Sequence, residues 1–177
     1  MAYFLGRDVS VKIKAGDDVG ANTDGTVDVD GSTPLFASTA GTTVTDLTGV
    51  DLGIGVTDED ITYMGSRTVL KAEIKKETTI TLTRKKKDNV WDVIFNASAR
   101  WGAKASDGGF VSGLEAPDLT SGVTYGYQVE ITLKASTEVF KVPNAVITGH
   151  TVSLNADGTT EETLEFISYE TPSIATS

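Results

Sequence analysis

One histidine and no cysteine are all the chain offers as imidazole base, thiolate nucleophile or soft metal ligand. A catalytic triad needs a base oriented by a third group, and a zinc site needs several converging ligands, so His150 between Gly149 and Thr151 supports neither. It reads as a surface or interface residue of a strand. Carboxylates stand side by side at Asp17-Asp18, Asp58-Glu59-Asp60 and Glu161-Glu162, but neighbours on an extended chain point to opposite faces. A glycosidase-type hydrolysis needs two facing carboxylates, which adjacency does not supply. Oxygen ligands cluster around glycine at Asp24-Gly25, Asp28-Val29-Asp30-Gly31 and Asn155-Ala156-Asp157-Gly158. None completes the twelve-residue calcium loop, and ordinary turn chemistry accounts for all three. Gly53-Ile54-Gly55 lacks the remaining glycine and the helix of a phosphate-binding fingerprint. No catalytic, cofactor-binding or metal-binding residue is assigned, no cofactor is expected, and the chain is expected not to be an enzyme.

The sharpest cationic run is Arg84-Lys85-Lys86-Lys87. Gripping nucleic acid would rest on such a cluster, but the chain carries 15 basic against 25 acidic side chains. The distribution says more than the sum. Residues 1–60 hold 3 basic and 11 acidic groups, residues 61–110 hold 10 and 5, and residues 111–177 hold 2 and 9. A basic middle between acidic ends suits a chain that pairs with copies of itself, because unlike patches steer association and fix register. Plain solvation of the surface is the other reading. The run 84–87 is expected in an exposed turn, where Arg84, Lys85, Lys86 and Lys87 contribute to a subunit interface.

The elements that must carry these residues are mostly strands. Tyr125, Tyr127, Val129, Ile131 and Leu133 alternate with polar residues, the period of a half-buried strand. Residues 69–83 repeat the pattern through Leu70, Ala72, Ile74, Ile80 and Leu82, as one very long strand or a pair broken near Lys76-Glu77. Further strands are expected at 9–13, 138–142, 146–154 and 163–169, the last two joined through Asn155-Ala156-Asp157-Gly158 as a hairpin. One segment has helical spacing: Trp91, Ile94, Phe95, Ser98 and Trp101 share a face, with Asp88 as N-cap and Gly102 as stop. Trp91, Ile94, Phe95 and Trp101 are expected to pack that helix against a sheet. Residues 15–34, 37–60 and 102–122, rich in Gly, Asp and Thr, read as long loops, and the stretch after Tyr169 reads as a mobile arm.

Length and composition set the frame. At 177 residues with no cysteine, one domain spanning 1–177 can bury roughly 70% of its unfolded surface and needs no staples. Residues 1–60 form its N-terminal strand plus long loops, and 170–177 its C-terminal arm. The apolar run Met1-Ala2-Tyr3-Phe4-Leu5 is too short for a signal peptide, and about 18 consecutive apolar residues occur nowhere, so a soluble product without a membrane partner is expected.

The order of these elements resembles the major tail tube proteins of tailed bacteriophages. The resemblance rests on the long strand pair ending in Thr78-Thr79-Ile80-Thr81-Leu82, the helix at 88–101, and the ending from Val146-Ile147-Thr148-Gly149-His150 through Glu161-Glu162-Thr163-Leu164-Glu165-Phe166-Ile167-Ser168-Tyr169. It covers roughly residues 60–172, and the loops at 15–60 have no counterpart in it. It implies a mainly β domain, a β-sandwich or barrel-like unit of two antiparallel sheets flanked by one α-helix. It further implies six copies to a ring, and rings stacked into a hollow tail tube that passes genomic DNA without specific binding. The partners implied are copies of itself and other tail proteins, in a virion made in the host cytoplasm. The N-terminal strand, long loops and C-terminal tail would then be arms crossing to adjacent subunits. The alternatives are a capsid decoration protein and a β-sandwich binding module, in which Trp91, Trp101, Tyr125 and Tyr127 would stack on a sugar.

Overall fold

The computed structural model describes residues 9–15, 27–28, 34–36, 42–61, 70–96, 126–133, 138–154, 156 and 158–175. Residues 16–26 and 29–33 of the expected loop at 15–34, the whole expected loop at 102–122, the second tryptophan Trp101, and Asn155 and Asp157 of the expected turn lie outside the described residues, whereas Ala15, Val27–Asp28 and Pro34 of the first loop are strand.

Period-two patterning becomes strand wherever a partner completes the ladder. In chain order the strands are β1 (Ser10–Ala15), β2 (Val27–Asp28), β3 (Pro34–Phe36), β4 (Thr42–Thr43), β5 (Leu47–Ile61) and β6 (Leu70–Lys85), followed by helix α1 (Val90–Asn96). Then come β7 (Tyr127–Leu133), β8 (Glu138–Ser153), β9 (Glu161–Ser168) and β10 (Ser173–Ala175). Among the described residues β2 and β3 pair only with each other, and the rest run in the order β4-β1-β7-β8-β9-β6-β5, all antiparallel, with β10 added on β8. The first and last strands of that order do not pair, so the sheet is open and not a closed barrel.

β8 changes partners halfway, and this splits the array into two layers. Glu138–Ala145 pairs with β7, whereas Val146–Ser153 pairs with β9. The sequence suggests two separate strands here, on either side of Pro143. They form one strand because proline falls at the register shift, beside Asn144 with φ of 51°, where a missing ladder donor costs least. β9 bends in step. Ser168 Oγ donates to the Pro143 carbonyl at 2.7 Å, Thr78 Oγ1 donates to the Glu170 carbonyl at 2.9 Å, and β10 then pairs with Val139–Lys141. The segment expected as a C-terminal arm is thus strand-paired with its own chain over Ser173–Ala175.

The core lies between the layers. Val11, Ile13, Tyr127, Val129, Ile131 and Val142 face inward from one, and Ile80, Leu82, Ile147, Leu164 and Phe166 from the other. Phe166 meets Tyr127 edge-on across the gap at 6.4 Å and Trp91 of α1 at 6.1 Å. Burial pushes the Tyr127 hydroxyl above its usual range. The interior is that of a sandwich, with one helix closing a side.

β5 corrects a sequence expectation. Its composition, Gly, Asp and Thr throughout, suggests a loop at 37–60, yet residues 47–61 form a strand paired with β6 almost end to end. Strand propensity is weak when a partner supplies the ladder. The glycines also fall in phase: Gly49, Gly53 and Gly55 sit opposite Thr83, Thr79 and Glu77, and a Cβ on Gly53 would stand 2.7 Å from Thr79 Oγ1.

Candidate assembly surface

The basic run does not stand free. Arg84 is in step with Ile80 and Leu82, so its side chain follows them inward and ends only 4% exposed. Glu162, in step with Leu164 and Phe166 on β9, is fully buried opposite it. Arg84 Nε donates to Glu162 Oε1, and its Nη2 donates to Asp88 Oδ1 at 2.6 Å. Burial opposes the Arg84 charge, but the Asp88 and Glu162 carboxylates outweigh it and hold the guanidinium protonated. Lys86 reaches Asp92 on α1 and lies 3.4 Å from Glu162 Oε2, and these carboxylates likewise raise its pKa against desolvation.

His150 completes this group and is not the surface residue its sequence context suggests. Its Nε2 lies 3.1 Å from Glu162 Oε2 and its Nδ1 lies 3.8 Å from Asp92 Oδ1, with the side chain 7% exposed and the ring 6.0 Å from that of Phe95. His150 faces inward because it pairs with Leu164 across the ladder. The group joins β6, β8, β9 and α1, so its task is to fasten the helix to the sheet. Every buried side-chain nitrogen and oxygen among the described residues has a hydrogen-bond partner. Among the same residues, no set of three or more His, Cys, Asp or Glu is placed to hold a metal.

The helix begins as its sequence indicates: Asp88 Oδ1 accepts from the Val90 N–H at 3.4 Å, and Trp91 is buried. Phe95 is partly exposed against His150. Ile94 belongs to α1, but its side chain and all of Trp101 lie outside the described ones.

Of the run 84–87, two lysines remain on the surface. Lys85 is exposed and forms no side-chain ion pair among the described residues, and Lys87 Nζ, also exposed, pairs with Asp46 at 3.0 Å and donates to Thr45 Oγ1 at 2.5 Å. They stand where β6 meets the start of β9, since Lys85 pairs with Glu161 and Glu161 with Ser153. This end also carries Leu154, 81% exposed.

Sheet edges offer the other open functionality. Within the layer β8-β9-β6-β5, β5 pairs only with β6, and Val146–Ser153 of β8 pairs only with β9 among the described residues. Two long edges of unpaired backbone groups therefore bound a four-stranded layer, the arrangement that invites pairing with another chain. Its uncovered face is set by register. Thr83, Thr81 and Thr79 of β6 lie beside Gly49, Asp51 and Gly53 of β5 and beside Thr163, Glu165 and Ile167 of β9. That face is hydroxyl-rich and shallow at the β5 edge. Sequence reading missed Glu162 and the β5 edge, although the phase of Arg84 and Glu162 with the apolar stripes was available to reveal the buried pair.

No protein-family model matches the chain, and no curated protein matches it either. Solved structures do. A chain from the virion of a native gene transfer agent particle superposes with a TM-score of 0.52 at 11% identity, over 98% of this chain and 99% of that one. A chain of the anti-feeding prophage baseplate, a six-fold symmetrised structure, gives 0.50 at 10% identity over 99% and 97%. A chain of the SPP1 tail tube gives 0.50 at 10% identity over 99% of this chain and 80% of that one. At such identities the likeness is one of fold, and the fold this chain shares is that of chains found in these virion, baseplate and tail-tube structures.

Proposed function

We propose that this chain is a structural subunit that joins copies of itself, six to a ring, into rings stacked into the hollow tube of a phage-type tail. The carrying observation is the four-stranded layer β8-β9-β6-β5 with a long free edge on each side. Its likeness to a chain of the SPP1 tail tube supports the same reading. Joining β5 of one copy to β8 of the next satisfies both edges at once and repeats around a ring, a heterologous contact that closes.

The second layer and α1 cover the inner side of this sheet, and an outer layer has the larger circumference. The Thr79, Thr81 and Thr83 face therefore turns toward the bore. Asp51 and Glu165 are its acids in the Thr81 row. A wall of hydroxyls and carboxylates repels phosphate, so DNA delivered through the bore slides without the counterion release that would hold it. In this role the chain is a virion component with other tail proteins as further partners, and it needs no catalytic chemistry.

Negative-stain electron microscopy of the purified protein at rising concentration tests the proposal. Hollow tubes with a regular axial repeat are the expected result. A monomer that persists at every concentration and salt, with or without a tail-initiator complex, overturns it in favour of a decoration or binding module.

A further inference from the structure

Both free edges of the four-stranded layer end in unfinished apolar cover, on the same side. Val50 and Leu52 of β5 pair with Leu82 and Ile80, so they face the core and pack against its margin. The residues next in phase, Ile54 and Val56, face the same way and are 55% and 53% exposed. At the other edge Ile147 and His150 of β8 face the core beside Phe166 and Leu164. Helix α1 lies over that edge from the core side, with Trp91 against Phe166 and the Phe95 ring 6.0 Å from that of His150. Phe95 is nonetheless 38% exposed, an overhang with apolar surface to cover.

Strand register fixes what comes beneath that overhang when two copies join. β8, β9, β6 and β5 alternate in direction, so β5 of one copy meets β8 of a like-oriented neighbour antiparallel, core side to core side. Within one chain Val50, Leu82, Leu164 and His150 stand in a single row across the layer. In a closed barrel the strands tilt by about 35–45°, which over four strand spacings displaces that row by roughly 16 Å, or about five residues. Residues opposite one another share a face, so the step nearest that figure is four or six. In one direction Ile54 or Val56 then stands opposite His150 of the neighbour, and all of Val146–Ser153 finds a partner within β5. In the other direction Ser153 falls beyond Leu47, where β5 begins.

We infer that the seam between two copies has an apolar core of its own, in which Ile54 and Val56 of one copy are covered by Phe95 and the end of α1 of the next. The occupant of the exposed stripe is a second copy because both halves flank the two free edges on the same side of the layer, and pairing the edges brings them together. Backbone hydrogen bonds give such a joint little net stability, since each replaces bonds to water. Burial of apolar surface supplies the attraction. The seam core rests on the reading of the chain as a tube subunit, and it names the side chains that hold a ring together beyond its shared strands.

Disulfide trapping tests it, in a chain that has no thiol of its own. Within one copy the β5 stripe lies three strand spacings, roughly 14 Å, from the β8 edge beneath Phe95. A disulfide needs Cα atoms within about 7 Å, so I54C or V56C can link to F95C only between copies. Oxidised tubes of I54C/F95C or V56C/F95C are expected to give a ladder of covalent oligomers that ends at the ring number, and the same chains held below the assembly concentration are expected to give none. Gly55→Cys lies at the same level on the bore face, where a Cβ has room, and G55C/F95C is expected not to cross-link. I54S/V56S, at positions exposed in the single copy, is expected to keep the wild-type circular dichroism while raising the concentration needed for assembly tenfold or more. Tubes in which neither pair links faster than G55C/F95C, or an I54S/V56S chain that assembles as the wild type does, overturn the seam core while the tube reading stands. A wild type that forms neither rings nor tubes overturns both.

Discussion

Arg84 and Glu162 face each other across the β6–β9 ladder, bonded through Nε and Oε1, and both side chains are essentially sealed from water. Glu162 has two further cationic or imidazole neighbours, Lys86 and His150. A buried carboxylate so placed is costly to strand and of little net worth as a pair. Glu162→Ala leaves the Arg84 charge without its buried partner and is expected to destabilise the fold by about 3–5 kcal/mol. Replacing both residues together, as R84M/E162L, is expected to recover most of that loss. Urea unfolding of the three variants measures both effects.

Asp88 ties the same arginine to the helix start, and its pKa is lowered, first by the hydrogen bond from Arg84. For a carboxylate whose folded pKa lies below its unfolded one, stability is fully present above the unfolded value and is lost as pH falls through the folded value. Acid titration followed by tryptophan fluorescence, with Trp91 as one reporter, should therefore show stability falling below about pH 4, near the unfolded carboxylate range. Asp88→Asn is expected to flatten that dependence while lowering stability at pH 7.

Phe166 joins the two layers and the helix, with edge contacts to Tyr127 and Trp91. Its truncation removes contacts on three elements at once and leaves a cavity that strands on both sides keep from collapsing. Phe166→Ala is expected to cost about 3–5 kcal/mol. Thermal unfolding should register it as a clear drop in Tm, larger than that of Ile174→Ala at an exposed position.

Gly126 precedes β7 with φ of 72°, and a Cβ there would stand 2.5 Å from the Ala145 carbonyl oxygen. Both the left-handed conformation and the backbone approach exclude a side chain. Gly126→Ala is expected to destabilise by about 1–3 kcal/mol, through strain at this special backbone position. Denaturant midpoints at unchanged m-value would show that native-state stability, and not the compactness of the unfolded state, is what changed.

The sheet was legible wherever apolar residues alternate, as at Tyr127–Leu133 and Leu70–Leu82, and the helix was legible from the spacing of Trp91, Ile94 and Phe95. Other features depend on partners that no local pattern encodes. β5 reads as loop because glycine and aspartate are poor strand formers, and only the facing ladder of β6 makes it a strand. The strands expected at 138–142 and 146–154 are one strand because the point where β8 exchanges β7 for β9 is a property of the assembled sheets. Arg84 reads as surface charge because it adjoins three lysines. Its phase with Ile80 and Leu82 is the local signal, and Glu162 on a distant strand is the reason the charge can be buried.

The absence of cysteine makes the proposed orientation of the tube wall directly measurable. Thr81 lies at the centre of the face assigned to the bore, between Asp51 and Glu165. Thr81→Cys introduces the chain's single thiol with little change in volume. A small maleimide is expected to label it in the free subunit and, through the open bore, in the assembled tube. A maleimide on a polymer too wide for the bore is expected to label the free subunit but spare the tube. Rapid labelling of assembled tubes by the wide reagent would place this face on the outside and reverse the orientation, while leaving edge-to-edge ring formation intact. Thr81→Lys carries the chemistry further: a cation at this depth should make assembled tubes retain polyanions, with a retention that falls steeply as salt rises.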